Sequence, residues 1–110
     1  MDNIVFTKED LQRIQRKYPG RIPVFVFRLK DTTDIPDITK HKYLVPSELT
    51  VGNFIYLIRK QIKLTPEKAM FVFIGNTLPA SSLTMAEAYN MYKQEDGTLR
   101  MYYTSENTFG

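Results

Sequence analysis

The chain contains no cysteine. That absence removes disulfide frameworks, thiolate nucleophiles and cysteine-ligated zinc or iron–sulfur centres, and it fits a reducing compartment. Long apolar runs are missing as well. One of the longest candidates, Ile22 to Phe27, has six residues and includes Pro23, whereas a membrane-crossing helix needs roughly 18 to 20. Met1-Asp2-Asn3 lacks the charged-then-apolar pattern of a secretory signal, so a cytoplasmic protein is expected. Histidine occurs once, as His41 between Lys40 and Lys42. A catalytic base needs an orienting acid and a sheltered setting, and two flanking ammonium groups supply neither. The glycines at 20, 52, 75, 97 and 110 build neither a G-x-G-x-x-G nor a G-x-x-x-x-G-K-[ST] phosphate cradle. Asp31, Asp34 and Asp37 recur every third residue but lack the spacing and closing glutamate of a calcium loop. They read as a solvated loop, and no metal, cofactor or enzymatic activity is expected.

What the chain does have is material for one domain. Its 110 residues, 43% hydrophobic and 25% charged, can bury a core without covalent staples. The net charge of +3 is unevenly placed. Lys8, Arg13, Arg16, Lys17 and Arg21 come early, and Lys40, His41 and Lys42 follow together. Brought side by side, these clusters would attract acidic peptides, phosphates or anionic lipid heads; a solvated basic face accounts for the same residues. Aromatics at 13% raise the prospect of stacking on single-stranded nucleic acid. Phe71-Val72-Phe73 lacks the glycine-interleaved signature of that mode, so no nucleic-acid partner is expected.

Thr7-Lys8-Glu9-Asp10 is a capping-box start. Leu11, Ile14 and Tyr18 then fall at i, i+3 and i+7, and Pro19-Gly20 ends the pattern, which predicts a helix near residues 8–18. Residues 22–29 are apolar at successive positions and rich in β-branched and aromatic side chains, the mark of a central strand covered on both faces. After a turn-prone stretch, Lys42-Tyr43-Leu44-Val45 reads as a second strand closed by Pro46, and the short link favours antiparallel pairing with the first. From Thr50, an advance of about 100° per residue places Val51, Ile55, Ile58 and Ile62 on one face and leaves Phe54 and Leu57 off it. Residues 70–74 predict a third strand. Ser81 or Ser82 is the expected start of a helix through Tyr92, Asp96-Gly97 is a tight turn, and residues 99–103 predict a fourth strand. The order describes an α+β protein with a four-stranded mixed sheet. It resembles the β-grasp arrangement of ubiquitin with an added N-terminal helix.

The sequence ends in a polar tail, Thr104-Ser105-Glu106-Asn107-Thr108-Phe109-Gly110. A free glycine carboxylate on a mobile tail suits acyl transfer from a protein's own C-terminus, because glycine can thread a tight enzyme channel. A terminal glycine also arises by chance in about one chain in fourteen, so it carries weight only on a domain that bears such a tail. If residues 42–45 form a sheet edge, their backbone is open to an incoming strand. Phe54 and Leu57 could then line one apolar pocket, and Ile14, Pro23 and Leu44 another. Ordinary core packing accounts for the same residues.

Residues 42–54, reading Lys-Tyr-Leu-Val-Pro-Ser-Glu-Leu-Thr-Val-Gly-Asn-Phe, are followed by Leu57-Ile58-Arg59-Lys60. Together with Lys17-Tyr18-Pro19, Arg21-Ile22-Pro23-Val24 and the closing Glu106-Asn107-Thr108-Phe109-Gly110, they resemble the autophagy-related ubiquitin-like modifiers of the GABARAP type over about residues 14–110. The resemblance implies a short N-terminal helical extension (1–20), a ubiquitin-like β-grasp domain (21–103) and a flexible conjugation tail (104–110). It implies that a protease exposes the glycine and that activating and conjugating enzymes pass it through adenylate and thioester stages to phosphatidylethanolamine. Gly110 would then be the acyl donor, on a protein shared between cytoplasm and autophagosomal membrane.

The resemblance also implies a monomer that binds autophagy machinery and cargo receptors carrying aromatic-x-x-aliphatic motifs beside acids. By position, the aromatic pocket would involve Asp10, Ile14, Pro23, Phe25, Lys42 and Leu44. The aliphatic pocket would involve Tyr43, Val45, Pro46, Leu49, Phe54, Leu57 and Ile58, with Arg21 facing an acidic flank. Two departures stand out. Only about 18 residues precede Pro19, where the family has two helices. Thr98 replaces a family phenylalanine, which takes one aromatic wall from the first pocket. An unconjugated β-grasp adaptor in vesicle trafficking or cytoskeletal binding is the alternative function.

Overall fold

Ile22 to Phe27 are all buried, and only a strand covered on both faces uses six successive apolar side chains that way. This strand, β1 (Arg21–Arg28), is the spine of the computed structural model, which describes residues 7–106. The other elements are α1 (Lys8–Lys17), β2 (Lys42–Pro46), α2 (Val51–Gln61), β3 (Phe71–Phe73), α3 (Met85–Tyr92) and β4 (Leu99–Thr104). The strands form one mixed sheet in the order β2-β1-β4-β3. β1 pairs antiparallel with β2, as the short link predicts, and parallel with β4, while β3 closes the far edge antiparallel to β4.

Strand alternation divides the side chains between two layers. Ile22, Val24, Val26, Val45, Leu99, Met101 and Tyr103 join Val51, Phe54, Ile58, Ile62, Met85 and Ala88 in the main core under α2 and α3. Phe25 and Phe27 face the other way. Phe27 stacks on Phe25, Tyr102 and His41, with ring centroids 5.9, 5.7 and 5.1 Å away, and the Arg100 guanidinium lies 4.8 Å over the Phe25 ring.

The buried face of α2 corrects one expectation. Phe54 is 3% exposed and Ile55 is only half-buried. On the helical wheel the buried arc runs from Phe54 at about 300° through Ile58 to Ile62 at about 20°, leaving Ile55 at its margin at about 40°. The core is therefore centred near Ile58, about 20° from Val51 on the side toward Phe54. Leu57, at about 240°, stays off it and is 49% exposed.

Helix α3 also starts later than Ser81 or Ser82. Thr84 is its N-cap, accepting from Glu87 N at 3.1 Å while Glu87 Oε1 accepts from Thr84 N at 2.9 Å, a reciprocal box that neither serine completes. Ser81 has another task. The N-termini of α2 and α3 lie side by side, and each satisfies amides of the other. Val51 N and Gly52 N donate to Leu83 O and Ser81 O at 2.8 and 3.0 Å, and Met85 N and Ala86 N donate to Leu49 O and Ser47 O at 2.7 and 3.0 Å. Four amides that a helix start leaves without intrahelical partners are thereby bonded. Gly52 lets the two helix starts come this close: a Cβ there would meet Ser81 Cβ at 3.1 Å and Ser81 O at 3.2 Å, so a larger residue would push Ser81 back by a few tenths of an ångström.

β4 runs one residue past the boundary expected for the tail. Thr104 is 4% exposed, and its hydroxyl shares a 2.7 Å hydrogen bond with buried Thr32. Removing the cap of α3 should be felt globally. Thr84→Ala is expected to cost about 1 kcal/mol in urea unfolding, and Thr84→Gly only a few tenths. Equal losses for the two would contradict the cap assignment.

Candidate peptide-binding edge and its flanks

Among the described residues, β2 has a strand neighbour on one side only. Val26 N donates to His41 O at 2.9 Å and Ser47 N to Gly20 O at 3.0 Å. With the register Val24↔Tyr43 and Ile22↔Val45, residues 41, 43, 45 and 47 turn their backbone groups toward β1. Those of Lys42 and Leu44 are consequently directed away from β1. Pro46 has no N–H to offer there. Arg21 reaches across to this edge, its Nη1 donating to Leu44 O at 3.2 Å, so the guanidinium covers a carbonyl that an added strand would use.

The same alternation sends β2 side chains to two flanks. Lys42 and Leu44 share a face with Pro23 and Phe25, their cross-strand partners, and α1 lies over it. The capping box of α1 fixes Asp10, whose carboxylate accepts from Thr7 N at 3.2 Å and pairs with Arg13. The Thr7 hydrogen bonds, then Arg13 and Lys42, hold the Asp10 carboxyl below its ordinary range. Asp10, Arg13, Ile14, Lys17, Tyr18 and Lys42 line a cavity of about 370 Å³.

Of the first-pocket residues named from sequence, Asp10, Ile14 and Lys42 line that cavity, and Leu44 is half-buried beside it in the strand. Pro23 and Phe25 are buried, Phe25 completely, so they underlie this flank instead of walling it. Thr98 lies fully inside, its hydroxyl donating to Asp96 Oδ1 at 2.6 Å, and Asp96 also pairs with Arg100 at 3.6 Å.

The other flank faces α2. The Tyr43 ring meets Phe54 edge-on, centroids 5.6 Å apart, and Lys40 Nζ sits 4.8 Å over it. Val45, Phe54 and Ile58 are each 3% exposed and form the floor. Pro46 and Leu49 are half-buried, and Leu57 stands out at the rim. The Tyr43 hydroxyl is buried and has no hydrogen-bond partner among the described residues. Burial pushes its pKa up to about 12.

Arg13, Lys17 and Tyr18, which also line the cavity, are not among the pocket residues named from sequence. The signal was present: positions 10, 13, 14 and 17 share one face of a helix by the i, i+3, i+4, i+7 rule. Gly110 lies outside the described residues. Among those described, no cluster of histidines or carboxylates is placed to hold a metal ion, and no helix is long and apolar enough to cross a membrane.

A mixed four-stranded sheet with α2 and α3 packed on one face and α1 on the other defines the class of ubiquitin-like proteins. Residues 7–110 match the family described as autophagy protein Atg8, ubiquitin-like. Autophagy-related protein 8 of Mycosarcoma maydis is 55% identical over 103 residues, covering 94% of this chain and 86% of that protein. Autophagy-related protein 8d of Arabidopsis thaliana is 55% identical over 98 residues, covering 89% and 81%. The crystal structure of Trypanosoma brucei ATG8 superposes with a TM-score of 0.85 at 38% identity, covering 99% of this chain and 95% of that one. The chain belongs to the Atg8 family of ubiquitin-like autophagy proteins, as its sequence resemblance implies.

The lone Tyr43 hydroxyl leads to a stability prediction. Removing a buried group that lacks a partner leaves no other atom unsatisfied, so Tyr43→Phe should match or exceed the wild type at neutral pH by up to about 1 kcal/mol. Tyr43 and Tyr103 both have folded values near 12, chiefly through burial, above the ordinary 10.0. The unfolded chain therefore releases these protons first, and stability, full below pH 10, falls as pH rises toward 12. Tyr43→Phe should shrink that alkaline fall. A marked loss at pH 7 would show that the hydroxyl has a partner.

Proposed function

We propose that this protein is a non-catalytic modifier, joined through Gly110 to phosphatidylethanolamine, that recruits motif-bearing cargo receptors and autophagy machinery to the autophagosomal membrane. The observation that carries the recruiting role is the outer edge of β2, where Leu44 turns its backbone away from β1, with an α1 cavity on one flank and the Tyr43–Phe54–Leu57 surface on the other. A peptide added as a strand alternates its side chains between the two flanks, so residues of opposite parity enter different pockets. An aromatic-x-x-aliphatic spacing does this. Arg13, Lys17 and Lys42 around the first cavity favour acids beside the motif, mainly through encounter rate and register.

The conjugation role rests on membership of the family and on the matching tail residues. The carboxylate of Gly110 would attack the α-phosphorus of a nucleoside triphosphate and expel pyrophosphate. A thiolate of the activating enzyme would displace the nucleotide monophosphate, and after transfer to a conjugating enzyme the lipid amine would displace that thiolate and lose a proton. The domain supplies no catalytic group; it presents the tail. Two acyl chains then anchor the protein far more durably than one.

Gly110→Ala should abolish the lipid adduct in mass spectra of the terminal peptide and release the protein from membranes, while leaving peptide affinity unchanged. An unconjugated adaptor predicts no adduct in either protein. On the peptide side, Leu57→Ala should weaken an acidic aromatic-x-x-aliphatic peptide roughly three- to tenfold by calorimetry. Its half-exposed position should keep stability within about 0.5 kcal/mol. Unchanged affinity would remove the α2 flank from the site.

A further inference from the structure

Ser105 is the first residue beyond β4, and its hydroxyl donates to Asp34 Oδ1 at 2.5 Å. Asp34 belongs to the loop between β1 and β2, and its second oxygen accepts from Lys68 Nζ at 2.7 Å. Lys68 comes from the loop between α2 and β3. Three segments far apart in sequence therefore meet where the chain leaves the sheet. Behind them the buried Thr32–Thr104 hydroxyl pair joins the same loop to the last strand residue, and Glu106 N reaches back to Thr104 Oγ1 at 3.4 Å. A cavity of about 390 Å³ opens beside this junction, lined by residues 29–34 and 104–106.

This arrangement is more than a surface ion pair. Lys68 and Ser105 hold the Asp34 carboxyl down at about 2, so the acceptor stays charged throughout the neutral range. Thr104 is already fixed by the ladder with β3 and by Thr32, and the backbone of Ser105 is the first that the sheet does not direct. The Asp34 contact therefore sets the heading of the chain as it departs toward Gly110. Nothing in the candidate peptide edge uses Asp34, Ser105 or Lys68.

We propose that Asp34 is a positioning residue for acyl activation at Gly110. With Lys68 behind it, Asp34 holds Ser105 so that the tail leaves the domain in one direction, ready for the activating enzyme. The proposal rests on the conjugation reading given above. A root ordered in advance lowers the entropy lost when the tail enters an enzyme, which acts on binding and not on the chemical step. The effect therefore belongs in KM and leaves kcat alone.

The test uses the full chain with its activating and conjugating enzymes, ATP, and vesicles of phosphatidylethanolamine and phosphatidylcholine. Wild type is compared with Asp34→Ala, Asp34→Glu and Ser105→Ala. A solvent-exposed contact of this kind supports a change of roughly two- to fivefold. Asp34→Ala and Ser105→Ala should raise KM for thioester formation by that factor with kcat unchanged, and Asp34→Glu should restore most of it. Backbone relaxation by NMR should show Ser105 and Glu106 losing order in the two alanine variants, with acidic-peptide affinity as in wild type. A wild type that conjugates with variants that match its KM overturns the positioning role alone, as does unchanged order at Ser105. A loss confined to kcat overturns it as well. A wild type that takes no lipid overturns the conjugation reading and the positioning role with it.

Discussion

The register between β1 and β2 is the constraint on which the recognition surface depends. Tyr43 opposite Val24 and Val45 opposite Ile22 turn those side chains into the main core against α2. Lys42 and Leu44 are left on the α1 side with their backbone groups turned away from β1. Because side chains alternate with a period of two, a slip of one residue would exchange the flanks. Lys42 would enter the core, Tyr43 would leave Phe54, and the outward backbone positions would move to residues 43 and 45. Apolar burial forbids this: Val45, Phe54 and Ile58 are all nearly inaccessible, and an ammonium group in their place has no compensating acid.

The register is held from both ends. His41 and Ser47 bond to Val26 and Gly20 beyond the strand. The reciprocal amides between the starts of α2 and α3 then fix Ser47 and Leu49, which lead from Pro46 into α2. The second flank thus inherits its geometry from helix starts that lie outside it, with Gly52 allowing their close approach. On the first flank the rigid part is the stacked layer of Phe25, Phe27, Tyr102 and Arg100 under α1. α1 itself contributes no buried residue, so the first flank is the less firmly supported of the two. At the edge between them, the Arg21 contact with Leu44 O covers a carbonyl that faces away from β1 while remaining on the solvent side, where it can give way.

Much of this was legible in the residues. Six successive apolar positions placed β1 at the centre of the sheet, Thr7 to Asp10 wrote the start of α1, and the short polar link implied the antiparallel β1–β2 pair. The failures have physical reasons. Phe54 looked off-axis because the wheel was anchored on Val51, and only the position of the sheet shows where the buried arc is centred. Ser81 and Ser82 are as good caps as Thr84 in isolation; what selects Thr84 is Glu87 three residues on and the hydrogen bond that Ser81 O accepts from Gly52 N of α2. Thr104 read as tail because a polar residue at a strand end carries no sign of a buried hydroxyl partner 72 positions away at Thr32. The cavity residues Arg13 and Lys17 were seen as charge and not as lining, since a helix face becomes a wall only when a strand stands opposite it. The meeting of Asp34, Ser105 and Lys68 had no local signature at all.

The most direct measurement is hydrogen exchange at the β2 edge, read residue by residue by NMR, with and without a saturating acidic aromatic-x-x-aliphatic peptide. Strand addition predicts that the Leu44 amide, directed outward in the free protein, becomes strongly protected when the peptide is present, with Tyr43 and Val45 unchanged because they already bond to β1. A peptide that binds tightly while the Leu44 amide exchanges as fast as before would contradict the account.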